Sequence, residues 1–293
     1  MKMYLVIIRM YFKLLGAVSP RWAGNKAFKL LQKPRRLKFK PLEEAFYKSS
    51  HSYKVDTPYG PISCYEVGEP SGDLIFLVHG WESNAGSMSG VGKQLAENGF
   101  RVISMYLPAH GKHKGTHTNL FECKEVLKSI IYQINPEKPF SIVSHSFGSA
   151  VATFALSEMD HSLDRFICLT SPDRLSSLFE IFQGMFKLSP KVYNNMLSHI
   201  EPLFGMPLEN ITVEKMIPWV DYNQLTFIHD VNDKVLNFEF SKKILQGRPR
   251  AELIPIEGSG HYRMLWNDEV YGHVLNRLTT KKNKAEEGEK MMA

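Results

Sequence analysis

Between about residues 52 and 280 the chain alternates two hydrophobic patterns. Short, nearly continuous apolar runs recur at Asp73–His79, Arg101–Tyr106, Phe140–Ser144, Arg165–Thr170, Gln224–His229 and Glu252–Ile256. Runs of that length without polar alternation suit parallel strands buried on both faces. Between them, Val91–Asn98, Glu122–Ile134, Gly148–Met159, Lys234–Leu245 and Tyr262–Leu278 have the spacing of helices, the first closed by Gly99. Ahead of this alternation, Ser52–Thr57 and Ile62–Val67 read as two strands joined by the turn Pro58-Tyr59-Gly60-Pro61. The rhythm predicts an α/β fold: a doubly wound, mostly parallel sheet with helices on both faces.

One interval departs from it. Some fifty residues between Thr170 and Gln224 show no strand pattern and are rich in Leu, Phe and Met. Insertions that long inside a compact domain are usually functional. A helical lid is expected over residues 173–222, its apolar side chains (Phe179, Phe182, Met185, Phe186, Met196, Trp219) facing the sheet's edge. An extra pair of core helices covering the sheet is the plainer reading. The core then comprises residues 52–172 and 223–280, and the charged tail 281–293 reads as frayed.

Residues 1–51 form a basic helical arm. Lys2, Arg9 and Lys13 cluster on one side of the first helical stretch, with Leu5, Val6, Ile8, Tyr11, Phe12 and Leu15 around the rest. The two charges at positions 9 and 13 interrupt the apolar run, which is too short for a signal peptide or a membrane span. Such a helix suits peripheral contact with an anionic membrane through residues 1–18, or packing on the protein's own body or a second subunit. Ser19-Pro20 supplies an N-cap and a first-turn proline for a second helix, Arg21–Leu31, and Lys33–Lys40 reads as a connector.

Charge sharpens this division. Lys and Arg exceed Asp and Glu by six overall, yet residues 1–54 hold thirteen basic and two acidic residues. The body is therefore mildly acidic. The basic residues follow no nucleic-acid reader motif, so no nucleic-acid partner is expected. Hydrophobic content of 43% and charged content of 23% exclude a disordered chain. Cys64, Cys123 and Cys168 are odd in number and suit free, buried thiols in a reducing, cytoplasmic compartment.

Candidate chemistry lies at the strand ends. Phe140–Ala150 runs from strand to helix across Ser144-His145-Ser146-Phe147-Gly148. A nucleophile held on so sharp a turn needs small neighbours, and the helix start aims free N–H groups at it. Leu77-Val78-His79-Gly80-Trp81 ends an earlier strand. Thr226–Val235 ends a later one with an acid-bearing loop, and Glu257-Gly258-Ser259-Gly260-His261 follows the last with a flexible loop presenting a histidine. The order Ser…Asp…His, each just past a strand, is what a triad on a doubly wound sheet requires.

Over about residues 52–280 this set of motifs resembles the α/β-hydrolase family. The resemblance implies Ser146 as nucleophile, His261 as general base and then acid, and the backbone N–H groups of Trp81 and Phe147 as oxyanion hole. Ser144 stands where the family commonly has glycine. Asp230 and Asp233 compete to orient the histidine. The family's loop aligns Asp233 with the acid and leaves Asp230 where glycine is usual. His110, His113 and His117 superficially suggest zinc, but Tyr106-Leu107-Pro108-Ala109-His110-Gly111 resembles a family loop whose histidine is structural, and no metal site is expected. His145 reads as a packing or loop-fixing residue. The implied activity is hydrolysis of a carboxylic ester or thioester of an apolar small molecule through an acyl-enzyme, with no cofactor. A non-catalytic protein of the same fold that binds a small ligand or partner is the alternative class.

Overall fold

The computed structural model describes residues 2–248 and 250–292, with the side chains of Lys2 and of residues 281–292 outside the description. The tail expected to fray at 281–293 falls on those residues. Eight strands form one sheet in the order β1-β2-β4-β3-β5-β6-β7-β8. They are β1 (His51–Val55), β2 (Ile62–Gly68), β3 (Leu74–Val78), β4 (Arg101–Met105), β5 (Phe140–His145), β6 (Leu163–Leu169), β7 (Tyr222–Asp230) and β8 (Ala251–Ile256). β1 and β2 pair antiparallel, β2 runs antiparallel to β4, and every other neighbour is parallel.

The period of two within the apolar runs divides their side chains between two layers. Ile75, Leu77, Val102, Val143, Ile167, Leu169 and Ile228 face one side, packing with α4 (Ser89–Glu97) and with α13 (Asp268–Met292) through Val270, Val274 and Leu278. Phe76, Val78, Ile103, Ile142, Phe166, Cys168 and Phe227 face the other, covered by α5 (Leu120–Ile134), α6 (Phe147–Leu156) and α11 (Phe238–Leu245). Burying each large apolar side chain contributes roughly 1.5–3 kcal/mol, so both faces hold the sheet. The chain reverses direction across the sheet at β3, with β4 on one side and β5 on the other. In such sheets ligands bind beyond the carboxyl ends of the strands near that point.

The helices expected at Lys234–Leu245 and Tyr262–Leu278 depart from their patterns. The stretch Lys234–Leu245 becomes helical only at Phe238, because the N–H groups of Val235 and Leu236 bond to the Asp233 carboxylate instead of a helical carbonyl. Tyr262–Leu278 divides into α12 (Gly260–Arg263) and α13, where Asn267 accepts from the Glu269 N–H and starts the second helix.

The long insertion after β6 is built of short helices, with one isolated antiparallel bridge between Arg174 and Thr212. It contains α7 (Leu175–Phe186), α8 (Pro190–Leu197), α9 (Glu201–Phe204) and α10 (Val213–Met216). The arm contributes α1 (Lys2–Val18), α2 (Pro20–Leu31) and α3 (Pro41–Ser49), and its first two helices pack on the insertion, α1 against α7 and α2 against α8. Gly24 permits this close approach: a Cβ there would sit 2.6 Å from the Asn195 Cβ. Phe12 meets Phe186 at 6.3 Å between ring centres, Phe28 stacks on His199, and Arg9 donates to the Met185 carbonyl. Much of the insertion's apolar character is therefore used in packing. Phe179, Phe186 and Met196 are buried, whereas Met185 and Trp219 are exposed rather than turned to the sheet. The arm packs on the body along one face.

Candidate active site

Ser146 joins β5 to α6 at φ +54° and ψ −122°, a conformation costly for a residue with a Cβ. Its own N–H reaches back to the carbonyls of Leu169 and Thr170 on the neighbouring strand. The turn is tight enough that a Cβ on Gly148 would come within 2.3 Å of the Val78 carbonyl oxygen. Only glycine fits there. Ser144, in the position the family commonly gives to glycine, is fully buried, and its hydroxyl bonds to the Ser149 Oγ at 3.0 Å. Of residues 140–156, Ser146 alone is not buried. The strained turn thus presents one hydroxyl at the end of a close-packed strand and helix.

His261 meets that hydroxyl. Its Nε2 lies 2.9 Å from Ser146 Oγ, and its Nδ1 lies 2.8 Å from Asp233 Oδ2. The Asp233 carboxylate is wholly enclosed, with Oδ1 accepting from the N–H groups of Val235 and Leu236. Burial works to raise its pKa, but hydrogen bonds from His229 and His261 outweigh that and hold the carboxyl well below the usual range. The sequence left His229 without a role. In the structure its Nε2 is 3.4 Å from Asp233 Oδ2, and its Nδ1 meets Ser241 Oγ at 2.7 Å.

The competing carboxylate, Asp230, does not touch the His261 ring. Its Oδ2 accepts from the N–H groups of Ser259 and Gly260, both at 2.6 Å, and its Oδ1 from Asn232 at 2.8 Å. It anchors the loop that carries His261. His145 fixes the same loop from the other side, its Nε2–H donating to the His261 carbonyl at 2.9 Å. Asp233 bonds the imidazole, while Asp230 and His145 bond the backbone of its loop.

The loop after β3 closes the site. A Cβ on Gly80 would be 3.3 Å from the Ser146 Cβ, which sets Trp81 beside the Ser146 turn. Phe147 opens α6, so its N–H has no intrahelical acceptor. Among the described residues no hydrogen bond uses the N–H of Trp81 or Phe147. The Trp81 ring packs edge-on against Phe147 and His110. Glu82, next in the chain, holds φ +55° and is gripped by Arg35 through both carboxylate oxygens. Beyond it, Asn84 accepts from Tyr47 and donates to Glu43 of α3. Arm residues therefore brace this loop. Nothing in the sequence signalled it, because the partners are separated by some forty residues and follow no periodic pattern.

Three further histidines, His79, His110 and His113, tie loops together. His79 donates from Nδ1 to the Gly80 carbonyl and accepts the Leu107 N–H at Nε2. His110 Nδ1 bonds to the Pro108 carbonyl, and His113 Nδ1 accepts from Ala109 and Gly115. His117 is exposed beside Thr116. Burial lowers the pKa of His79 to about 3, of His110 to about 4 and of His145 to about 3. In the unfolded chain these side chains take up protons below about pH 6.5, which the folded protein refuses until pH 3–4. The unfolded state then binds more protons, so stability falls as pH drops through that window, by up to about 1.4 kcal/mol per pH unit for each histidine. Urea unfolding midpoints should accordingly be lower at about pH 5 than at about pH 7. Equal midpoints would mean that these rings are not buried neutral.

With fold and geometry in place, comparison with known proteins decides the family. The family model described as α/β hydrolase fold matches residues 73–249, more than half of the chain. The chain belongs to the α/β-hydrolase fold family. A serine hydrolase-like protein of Dictyostelium discoideum is 31% identical over 102 residues, an alignment covering 34% of this chain and 28% of that protein. The match thus spans little more than a quarter of the curated relative's length. Among solved structures, a Pyrococcus furiosus esterase superposes with a TM-score of 0.64 at 19% identity, covering 85% of this chain and 96% of the other. An esterase from Exiguobacterium antarcticum gives 0.60 at 17% identity, over 78% of this chain and all of that one. At such identities these likenesses speak for the α/β-hydrolase fold alone.

Proposed function

We propose that the protein is a serine hydrolase that cleaves a carboxylic ester through an acyl-enzyme. The observation that carries this reading is the continuous hydrogen-bonded line from Ser146 Oγ through His261 to Asp233, set on a strained turn at the end of β5. Ser146 Oγ attacks the ester carbonyl as His261 Nε2 takes its proton. The tetrahedral oxyanion is held by the N–H groups of Trp81 and Phe147, each contributing roughly 3–4 kcal/mol of transition-state stabilisation. His261 then protonates the departing alcohol, and water deacylates Ser146 by the same steps. Asp233, kept ionised by its two histidine neighbours, selects the tautomer with hydrogen on Nδ1. No step needs a cofactor.

The groups beside the reacting atoms are aromatic. Trp81 and Phe147 pack together, and Tyr262 stands against His261. An uncharged, apolar ester suits them better than an anionic one. The insertion 173–222 serves as the lid, resting on α6 through α10. Active-site labelling with a fluorophosphonate tests the reading: the wild-type protein is labelled and Ser146→Ala is not. A wild-type protein that resists labelling would leave the fold as a binding scaffold.

A further inference from the structure

We infer that the arm docks the protein onto an anionic lipid bilayer through the outer face of α1. This helix is apolar on two sides. Leu5, Ile8, Phe12 and Leu15 face inward onto α7 and α2, with Phe12 buried. Met3, Tyr4, Val6, Ile7, Met10, Tyr11, Leu14 and Val18 are all exposed. At 3.6 residues per turn these eight side chains occupy one unbroken arc of roughly 160°, with no charged residue inside it. Packing against the body therefore accounts for four of these twelve apolar side chains. A contiguous exposed patch of this kind marks an interaction surface.

Charge identifies the occupant. Residues 1–40 contain eleven lysines and arginines and no acidic residue. Arg9 and Lys13 border the apolar arc, between it and the packed face, and Lys13, Arg21, Lys26 and Lys29 have no ion-pair partner among the described residues. Trp22 is exposed just past the turn from Val18, with the Lys26 ammonium over its ring. Apolar side chains bordered by cations and aromatic rings match the acyl and headgroup layers of an anionic leaflet. A second copy of the chain fits less well, since apposing two α1 helices would bring like charges together with no acid in residues 1–40 of either copy to offset them. The charge asymmetry also sets orientation, because the mildly acidic body is repelled by the surface that attracts the arm. No described helix is long and apolar enough to cross a membrane, and the proposed contact lies in the interface.

Deleting the arm would strip the cover from α7 and α8, so the test uses point substitutions on the outer face alone. Full-length protein should co-sediment with phosphatidylcholine vesicles containing phosphatidylglycerol, and less so as sodium chloride is added. Ile7→Glu/Leu14→Glu should weaken that partitioning by roughly tenfold or more, with the melting temperature and turnover of a water-soluble ester unchanged. Binding is read independently of activity, so an inactive protein that still partitions overturns the hydrolase reading and leaves this one standing. Failure of the full chain to sediment, equal binding to pure phosphatidylcholine, or unchanged binding of the double variant would each overturn the lipid proposal. So would a dimer in sedimentation velocity that Ile7→Glu/Leu14→Glu dissociates without any vesicle binding by the parent.

Discussion

Ser146→Ala and His261→Ala should each lower kcat for ester hydrolysis by about 10⁶-fold, as loss of either member of such a couple does when the residues act as a unit. Both proteins should remain folded. Alanine carries the same Cβ as serine, so the φ of +54° at position 146 costs no more after the substitution. Removing the His261 ring leaves the Asp233 carboxylate with the Val235 and Leu236 N–H groups and with His229. The anchors of the loop, Asp230 on Ser259 and Gly260, are backbone contacts that survive the loss of the ring. Initial rates on a p-nitrophenyl ester, with a thermal melt on each protein, measure both halves. A folded Ser146→Ala protein retaining more than about one hundredth of wild-type kcat would remove Ser146 as nucleophile.

The sheet was legible in the chain because short apolar runs recur in alternation with longer stretches of helical spacing, as in a parallel sheet covered on both faces. Its ends were legible too, since a parallel sheet brings consecutive strand exits to one edge. For that reason sequence order could collect Ser146, His261 and an acid-bearing loop between them, while the preference for Asp233 over Asp230 came from the family resemblance. The structure sets Ser146, His261 and Asp233 within hydrogen-bond reach. Other features left no pattern to read. Asp230 acts on backbone N–H groups, which are the same whatever residue bears them, so nothing at 259–260 announced its partner. Arg35 and Glu82 form a side-chain pair across two loops with no periodic relation. The aromatic residues of the insertion suggested a surface for substrate, but an apolar helix face does not reveal what covers it. In the case of Phe186 it is Phe12 of the arm. For α1 the same ambiguity left membrane contact and packing both open, because apolar positions around a helix do not show which of them the body covers.

The two carboxylates after β7 should separate cleanly in kinetics and stability. In Asp233→Asn the side-chain oxygen is held by the Val235 and Leu236 N–H groups, which can only donate. The amide NH₂ is then turned towards His261 Nδ1. A donor in that position stabilises the imidazole with its hydrogen on Nε2, which cannot accept the Ser146 proton. The expected loss in kcat is about 10⁴-fold, the size found when a triad aspartate is replaced and the wrong tautomer results. Folding should be little affected. Asp230→Asn meets a different conflict, because N–H donors approach both of its oxygens: Ser259 and Gly260 on one, Asn232 on the other. An amide satisfies only one side. The buried mismatch should cost roughly 2–3 kcal/mol and lower the melting temperature by about 5–10 °C, while kcat measured well below the transition falls tenfold or less. Rates and melts on the two variants decide the roles. A larger kcat loss for Asp230→Asn than for Asp233→Asn would show that Asp230, through the loop it holds, governs the histidine more than its direct partner does.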